Sequence, residues 1–285
     1  MKSKIFLGLL SLLICININC HIVVADDSSD EIYFEMEENS DGEVLLKRYL
    51  LTKDKISIDG NLEIPDVKIP EEVDYISEYA FQDCMVKDVV MSDNIKGIGN
   101  FAFYASKAWS IKISNNVKKI EERAFGRCDF KEINLPDKLV EIGPSAFCSC
   151  IYLKSITIPD KVKLIDDDAF YYCINLKKIT IPDSVRYIGN RAFKDTKIEN
   201  IYIPKEVEII GDEAFNRTVI IVGEKNSEAE RYAKRNGNIF MTPKEKAFCD
   251  KYVNVKSISI CMIIIIVIIV IIIKKIKCYK YKNNI

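Results

Sequence analysis

The sequence predicts a repeat solenoid, a fold in which similar coils of chain stack in one direction. The first observation is an Ala-Phe dipeptide that recurs seven times in the same setting, at steps of 22 or 23 residues. The second is a short β-type segment before each pair, followed in most units by Pro. A constant period of about 20 to 29 residues with one strand per unit is typical of solenoids. The Ala-Phe pairs lie at residues 80–81, 102–103, 124–125, 146–147, 169–170, 192–193 and 214–215.

Residues 176–196 illustrate how one coil is built. Ile179 and Ile181 alternate as on a strand, and Pro182, which lacks an N–H, ends the ladder. One coil has too few apolar residues for a core of its own, so neighbouring coils must stack to bury one. Burying a Phe contributes about 1.5–3 kcal/mol, so we expect the column of seven Phe rings to be a main stabiliser. In another coil the predicted inward set is Ile156, Ile158, Val162, Ile165, Ala169 and Phe170.

Two segments resemble the BspA-like leucine-rich repeat family. Residues 153–173 and 176–193 follow its pattern, approximately L-x-x-I-x-I-P-x-x-V-x-x-I-G-x-x-A-F-x-x-C. The resemblance covers residues 55–240 and implies a solenoid of the α/β leucine-rich-repeat type, with about seven coils and one short parallel strand in each. It also implies a surface or secreted protein with a role in adhesion. The departures are Ser92 and Ser114 in place of Pro, and Ser106, Thr196 and Thr218 in place of Cys.

The N-terminal region divides into three predicted segments. Residues 1–25 read as a secretory signal, with two early lysines, an apolar stretch and small residues before the cleavage point; a retained anchor helix is the alternative. Residues 26–43 carry nine acidic residues and no basic ones, which predicts a disordered leader, either solvated or an interaction arm. Residues 44–64 are expected to cap the first coil, because the end of a solenoid core must be covered.

The repeats are expected to span residues 65–219, followed by a C-terminal cap at 220–240. The cap contains a predicted short helix, with Ser227 and Glu230 forming a capping box. Gly237 is expected to end this helix in a left-handed conformation. Three residues share the face that would lie on the last coil: Ala229, Tyr232 and Ala233.

The remaining C-terminal residues predict a membrane anchor. Residues 241–257 read as a polar stalk, and 258–273 form an apolar run broken only by one Ser and one Cys. As a helix this run spans roughly 24 Å, short of the ~30 Å hydrocarbon core, and bilayer thinning or snorkelling lysines would close the gap. Three lysines begin the tail at 274–285, which places the tail in the cytoplasm and the repeats outside. We therefore predict a single-pass plasma-membrane protein; a buried pair of core strands is the alternative.

Four cysteines lie three residues after a repeat Phe, at a position that Ser or Thr fills in other coils. The regular spacing predicts unpaired, buried thiols, because Cys is a small and easily buried residue. Disulfides between Cys150 and Cys128 or Cys173 stay open as the alternative, since an oxidising compartment permits them. A zinc site is disfavoured because these cysteines do not form C-x-x-C pairs. The four are Cys84, Cys128, Cys150 and Cys173.

Composition and motifs argue against an enzyme. The only His is His21, inside the predicted signal, which leaves the mature chain without a His for triads or metal sites. The formal net charge is −1, without the basic stripe that nucleic acid requires. The run 166–168 of three Asp residues reads as a solvated turn. We expect no catalytic residue, no metal and no cofactor.

The strand surface is the predicted ligand face, because a solenoid presents a broad row of outward side chains. Its mixed polar character favours a protein or glycan partner on a host cell, the matrix or a neighbouring cell. The alternative is a signalling receptor whose short tail acts through a coreceptor. Trp109 is expected to pack at a coil junction, and Asn216 begins the one glycosylation sequon. The outward residues are Lys68, Val90, Lys112, Asn134, Thr157, Thr180 and Tyr202.

Overall fold

The structure is a computed structural model that describes residues 20–25, 32–51 and 66–252. The chain divides into two compact units, Met1–Phe240 and Met241–Ile285. The first unit contains a β-solenoid of about eight stacked turns, and the predicted stacking of coils is confirmed. The elements in chain order are β1 Cys20–Ala25, β2 Ile32–Glu38, β3 Val44–Leu51, β4 Val67–Lys68, β5 Tyr75–Ile76, β6 Asp88–Val90, β7 Gly97–Ile98, β8 Ser110–Lys112, β9 Lys119–Ile120, β10 Glu141–Ile142, β11 Ser155–Thr157, β12 Leu164–Ile165, β13 Lys178–Thr180, β14 Tyr187–Ile188, β15 Asn200–Tyr202, β16 Ile209–Ile210, β17 Ile220–Val222, α1 Glu228–Asn236, β18 Phe240–Met241 and α2 Pro243–Tyr252.

Most coils contain two short strands, so the prediction of one strand per coil is wrong. The second strand follows the Pro turn and builds one continuous sheet, in the order β1-β2-β3-β5-β7-β9-β10-β12-β14-β16. Its repeat strands pair in parallel, with Ile142 opposite Ile165 and Ile165 opposite Ile188. Each of these strands has two residues, which is too short for the alternation by which a strand is recognised in a sequence.

The first strands of the coils form separate small sheets. Strands β4, β6 and β8 make one sheet, β11 and β13 a second, and β15 pairs with β17. The breaks coincide with a change in coil length: residues 151–152 separate Cys150 from Leu153, whereas one residue separates Cys128 from Phe130. Both β11 and β13 follow such an additional residue.

The predicted column of Phe rings is confirmed. The seven rings are almost fully buried, and each is stacked on the next, with centroids 4.7–5.4 Å apart. The Phe130 ring lies edge-on to Phe125 and Phe147, at 6.3 and 6.4 Å. The six residues of the predicted inward set are also buried. Offset and edge-on arrangements are those that aromatic quadrupoles favour.

The N-terminal cap begins earlier than predicted, and the expected disorder over residues 26–43 is corrected for 32–43. This part contains β2 and a turn that leads into β3. Asn39 Oδ1 accepts hydrogen bonds from the backbone N–H groups of Asp41 and Glu43, which closes the turn. Two buried aromatic side chains extend the column: Tyr49 stacks on Phe81 at 5.2 Å, and Phe34 lies 6.0 Å from Tyr49. Burying these rings overrides the acidic composition on which the prediction depended.

The boundaries of the predicted N-terminal segments fall partly outside the described part of the chain. Residues 1–19 of the predicted signal and residues 52–65 of the predicted cap region lie outside it. The last six residues of the predicted signal form β1, which pairs antiparallel with β2. The secretory signal stays a prediction.

Helix α1 caps the other end of the core, as predicted. Tyr232 lies 5.9 Å from Phe215 in an edge-on arrangement, and its hydroxyl accepts a hydrogen bond of 2.9 Å from the Phe215 N–H. Gly237 has φ +83° and donates its N–H to Ala233, which confirms the left-handed end. The predicted capping box does not form. Ser227 is the N-cap, but its hydroxyl donates to the Glu224 carbonyl, and Glu230 accepts from the Asn226 N–H.

Helix α2 replaces most of the stalk predicted at 241–257. Thr242 and Glu245 form a reciprocal capping box, with backbone-to-side-chain distances of 3.0 and 3.3 Å. Pro243 occupies the first helical position, where its missing N–H costs nothing. The Thr-Pro-Lys-Glu sequence was the signal for this helix. The predicted anchor at 258–273 and tail at 274–285 lie outside the described residues, and within those residues no helix is long and apolar enough to span a membrane.

Six cysteines of the described coils and of helix α2 are free thiols, so the disulfide alternative is not realised; they are Cys84, Cys128, Cys148, Cys150, Cys173 and Cys249. Cys128, Cys150 and Cys173 are fully buried, and each Sγ donates to the carbonyl of the Phe one coil earlier at 3.0–3.1 Å. Ser106 and Thr196, at the same position, also donate to backbone carbonyls. In these five coils a small hydrogen-bond donor, Cys, Ser or Thr, therefore fills the slot.

Alkylation is expected to distinguish Cys148 from Cys150 in the folded protein. Burial raises the pKa of the Cys148 thiol to about 11, and only the thiolate is nucleophilic. Labelling of half-buried Cys148 should therefore rise about tenfold per pH unit toward pH 11, while Cys150 stays unlabelled until the coil opens. Pulsed labelling with peptide mass spectrometry measures both sites. Equal rates at Cys148 and Cys150 under native conditions would contradict the ladder geometry.

Candidate functional site

The strand face, defined as the seven predicted outward residues from Lys68 to Tyr202, is exposed throughout. Parallel pairing aligns Lys68 with Val90, and Val90 with Lys112. An isolated bridge joins Lys112 to Asn134, and Thr157 lies opposite Thr180. The structure thus confirms the outward placement of every member, but it divides the face at the two breaks between the small sheets. Ligand binding by these residues stays a prediction.

A row of three lysines lies beside the strand face. Lys131, Lys154 and Lys177 each precede an inward Ile by two residues, and backbone hydrogen bonds of 3.2 and 3.1 Å connect the three in succession. All three are exposed, and none forms an ion pair with a residue in the described ranges. Neighbouring strands lie about 4.8 Å apart, so these positive charges repel one another. These three positions therefore carry a single charge sign, which was not predicted from the sequence.

Trp109 occupies the same position in an earlier coil and is 60% exposed. The prediction that it packs at a coil junction is wrong. The strand begins at Ser110, so the inward alternation does not extend back to Trp109. The sequence did indicate exposure at this position, because Lys occupies it in the three following coils and Lys is rarely buried without an ionic partner.

The described residues offer hydrogen-bonding and ionic groups but no catalytic arrangement that the structure brings together. The Asp run is not a free solvated turn: Asp167 accepts from the Asn190 backbone N–H at 2.6 Å, and Asp168 pairs with Arg191 at 2.6 Å. Both contacts join one coil to the next. Within the described ranges, no group of three or more His, Cys, Asp or Glu is placed to hold a metal ion.

The predicted sequon is partly engaged in the structure. Asn216 Nδ2 donates to the Thr196 carbonyl at 3.2 Å, and its Oδ1 accepts from the Asp195 N–H at 2.9 Å. Thr218 is exposed, in contrast to the buried ladder slot expected for it. Glycosylation at Asn216 stays a prediction and would require the amide to release its bond to Thr196.

The family comparison matches the repeats directly. Six copies of the BspA type leucine rich repeat region match residues 59–128 and 98–222. The chain belongs to this BspA type leucine-rich repeat family. The expected resemblance is thereby confirmed, and members of the family are generally binding scaffolds without enzymatic activity. No curated protein matches the sequence.

Two solved structures are similar to this BspA type chain. A leucine rich repeat protein of T. pallidum shares 20% identity at a TM-score of 0.54, covering 73% of this chain and 95% of that one. A leucine rich cell surface protein of Faecalibacterium prausnitzii shares 26% identity at a TM-score of 0.51, covering 72% of this chain. The alignment spans 55% of the F. prausnitzii chain. The first similarity supports the fold, and the second adds a protein described as a surface protein.

Proposed function

We propose that this BspA type protein is displayed on the cell surface and adheres to a protein or glycan through its strand face. The observation that carries the proposal is the outward placement of all seven strand-face residues, flanked by exposed Trp109 and the lysine row. Exposed aromatic and basic side chains beside a polar surface are typical of binding sites. The similarity to a bacterial cell surface protein supports the location.

Display is tested by expressing the full chain in cultured cells and labelling the repeats with an antibody before and after permeabilisation. The proposal requires labelling of intact cells. Labelling that depends on permeabilisation would contradict the predicted topology, in which the repeats precede the anchor and lie outside.

Adhesion is tested on the same cells by changing the strand face. We expect the double variant Lys112→Glu and Tyr202→Ser to lower attachment to matrix or partner cells at least fivefold, because it reverses one charge and removes one exposed ring. A matched control is Lys163→Glu with Ile209→Ser, since both of those residues are exposed and belong to the other side of the coils, Ile209 in β16 and Lys163 immediately before β12. Equal losses in the two variants, or no loss in either, would assign adhesion to another surface.

A further inference from the structure

A groove of about 280 Å³ opens on the turn that surrounds the Ala-Phe pairs of the central coils. We call it the arginine groove. Its defining residues are Tyr104, Arg123, Arg127, Asp168, Tyr171 and Arg191. Arg123, Asp168 and Arg191 each precede the Ala of an Ala-Phe pair. Tyr104 and Tyr171 directly follow the Phe, and Arg127 is the second residue after it. None of the six belongs to the strand face.

The groove exists because side-chain size changes along one column of the repeat. The residue after Phe is Tyr104, Gly126, Cys148 and Tyr171 in four successive coils, so two small residues lie between two tyrosines. At about 4.8 Å per coil, the two rings are separated by roughly 14 Å. A Cβ on Gly126 would lie 3.0 Å from the Tyr104 ring and 3.2 Å from Cys148 Sγ, so a larger side chain at Gly126 would have to displace one of these neighbours.

The arginines are held in place by aromatic rings. The guanidinium of Arg123 lies 5.6 Å from the Phe101 centroid, that of Arg127 5.9 Å from Tyr104, and that of Arg191 5.7 Å from Tyr171. Cation–π contact fixes a guanidinium while its N–H edges stay available for an anion.

The charges in the groove are unbalanced. Arg191 pairs with Asp168 at 2.6 Å, whereas Arg123 and Arg127 form no ion pair with any residue that the structure describes. A hydrogen bond with the Tyr104 side chain is the main cause that raises the pKa of Arg127, and the charge of Asp83 adds to it from further away. Three guanidinium groups and one carboxylate leave the groove with a net charge of +2, and both exposed arginines can accept an anionic group.

The groove also contains an acceptor without a donor. Asp168 Oδ1 is buried and has no hydrogen-bond partner among the described residues, although Oδ2 of the same carboxylate pairs with Arg191. A buried polar atom without a partner costs about 1–3 kcal/mol. Because Oδ1 is enclosed, a ligand donor reaches it only when the Asp168 side chain, which is 19% exposed, turns toward the groove. A ligand that carries both an anionic group and a neutral donor such as a hydroxyl gains from that turn.

We propose that the arginine groove binds an acidic saccharide, a sugar chain that carries carboxylate or sulfate groups. The anionic group is bound by Arg123 and Arg127, and sugar rings pack on Tyr104 and Tyr171. A sugar hydroxyl donates to the Asp168 carboxylate once that side chain turns toward the groove. A simple inorganic anion would use the arginines alone and leave Asp168 unpaired. The residue before Ala and the second residue after Phe have a left-handed backbone in almost every coil. This conformation is therefore a property of the repeat and not of the groove.

The test is titration calorimetry of the full-length chain with a sulfated, uronate-containing hexasaccharide. The double variant Arg123→Gln and Arg127→Gln should bind at least tenfold more weakly, at an unchanged melting temperature, because both side chains are exposed. Arg123→Lys should lose part of the affinity, since it keeps the charge but not the bidentate fork. The control variant Arg186→Gln and Arg217→Gln removes the same charge elsewhere and should stay within twofold of the wild type.

Competition separates the saccharide from other anions. The neutral hexasaccharide, inorganic sulfate and a poly-glutamate peptide of equal charge should each bind at least tenfold more weakly than the acidic saccharide. Comparable binding of sulfate or poly-glutamate would overturn the proposal in favour of a plain anion site or an acidic-peptide site. Unchanged saccharide binding by the Arg123/Arg127 variant would overturn it as well.

If that variant melts early, Tyr171→Ala, which leaves both arginines, should still lower affinity about fivefold. These results do not depend on adhesion through the strand face.

Discussion

Replacing Phe147 with Ala is expected to destabilise the solenoid by about 3–5 kcal/mol, the range for a buried Phe whose cavity cannot collapse. Phe147 stacks on Phe125 at 5.4 Å and on Phe170 at 5.2 Å, and Phe130 lies edge-on at 6.4 Å. The coils on either side are fixed by their own backbone ladders, so the rings cannot close the gap. A typical domain is stable by about 5–15 kcal/mol, so this one change removes a large share.

Urea unfolding followed by circular dichroism measures this loss. Because a solenoid is held together by contacts between adjacent coils, a defect at Phe147 should also broaden the transition, as the two halves lose their coupling. The control is Tyr152→Ala, five residues later, where the ring is 47% exposed; a surface change of this kind costs less than about 0.5 kcal/mol. A loss at Phe147 no larger than that at Tyr152 would show that the column does not stabilise the fold.

The column and the coil boundaries were predictable because they depend on a period that every coil repeats. Seven equivalent positions identify a buried ring even where one coil departs from the pattern. The second ladder was missed because each strand has two residues, and its pairing partners lie in other coils. The part of the N-terminal cap that precedes residue 44 was missed because charge dominates its composition, although Ile32, Phe34 and Met36 alternate with other residues. An alternating apolar face is a stronger signal for a strand than net charge is for disorder.

The candidate sites were likewise predictable from the sequence only in part. Outward placement of the strand face follows from alternation within a strand, and the structure agrees at all seven residues. The exposure of Trp109 and the presence of the arginine groove can both be inferred by comparing one repeat position across successive coils. The sequence alone permits that comparison. The unpaired oxygen of Asp168 depends on side-chain geometry, and no sequence pattern indicates it.

Gly189→Ala is expected to cost about 3 kcal/mol, at the upper end of the usual range for overpacking. Gly189 is buried directly against the preceding coil, and its N–H donates to the Ile165 carbonyl at 2.8 Å. A Cβ at this position would fall well under 3.0 Å from the backbone nitrogen of Asp167 and the carbonyl carbon of Asp166. Backbone atoms held in a ladder cannot move aside as a side chain can, so the two coils must separate.

Asp166 provides the matched control, because it occupies the same repeat position one coil earlier and already carries a Cβ. Asp166→Ala removes one short hydrogen bond to the Asp167 N–H and should cost about 1 kcal/mol or less. Thermal or urea unfolding of the two variants compares close approach with side-chain chemistry at equivalent sites. If Gly189→Ala were as mild as Asp166→Ala, the coils would have enough freedom to separate locally, and the spacing between them would be set by the Phe column alone. A large difference would show that glycine fixes the approach of neighbouring coils on the side where the backbones meet.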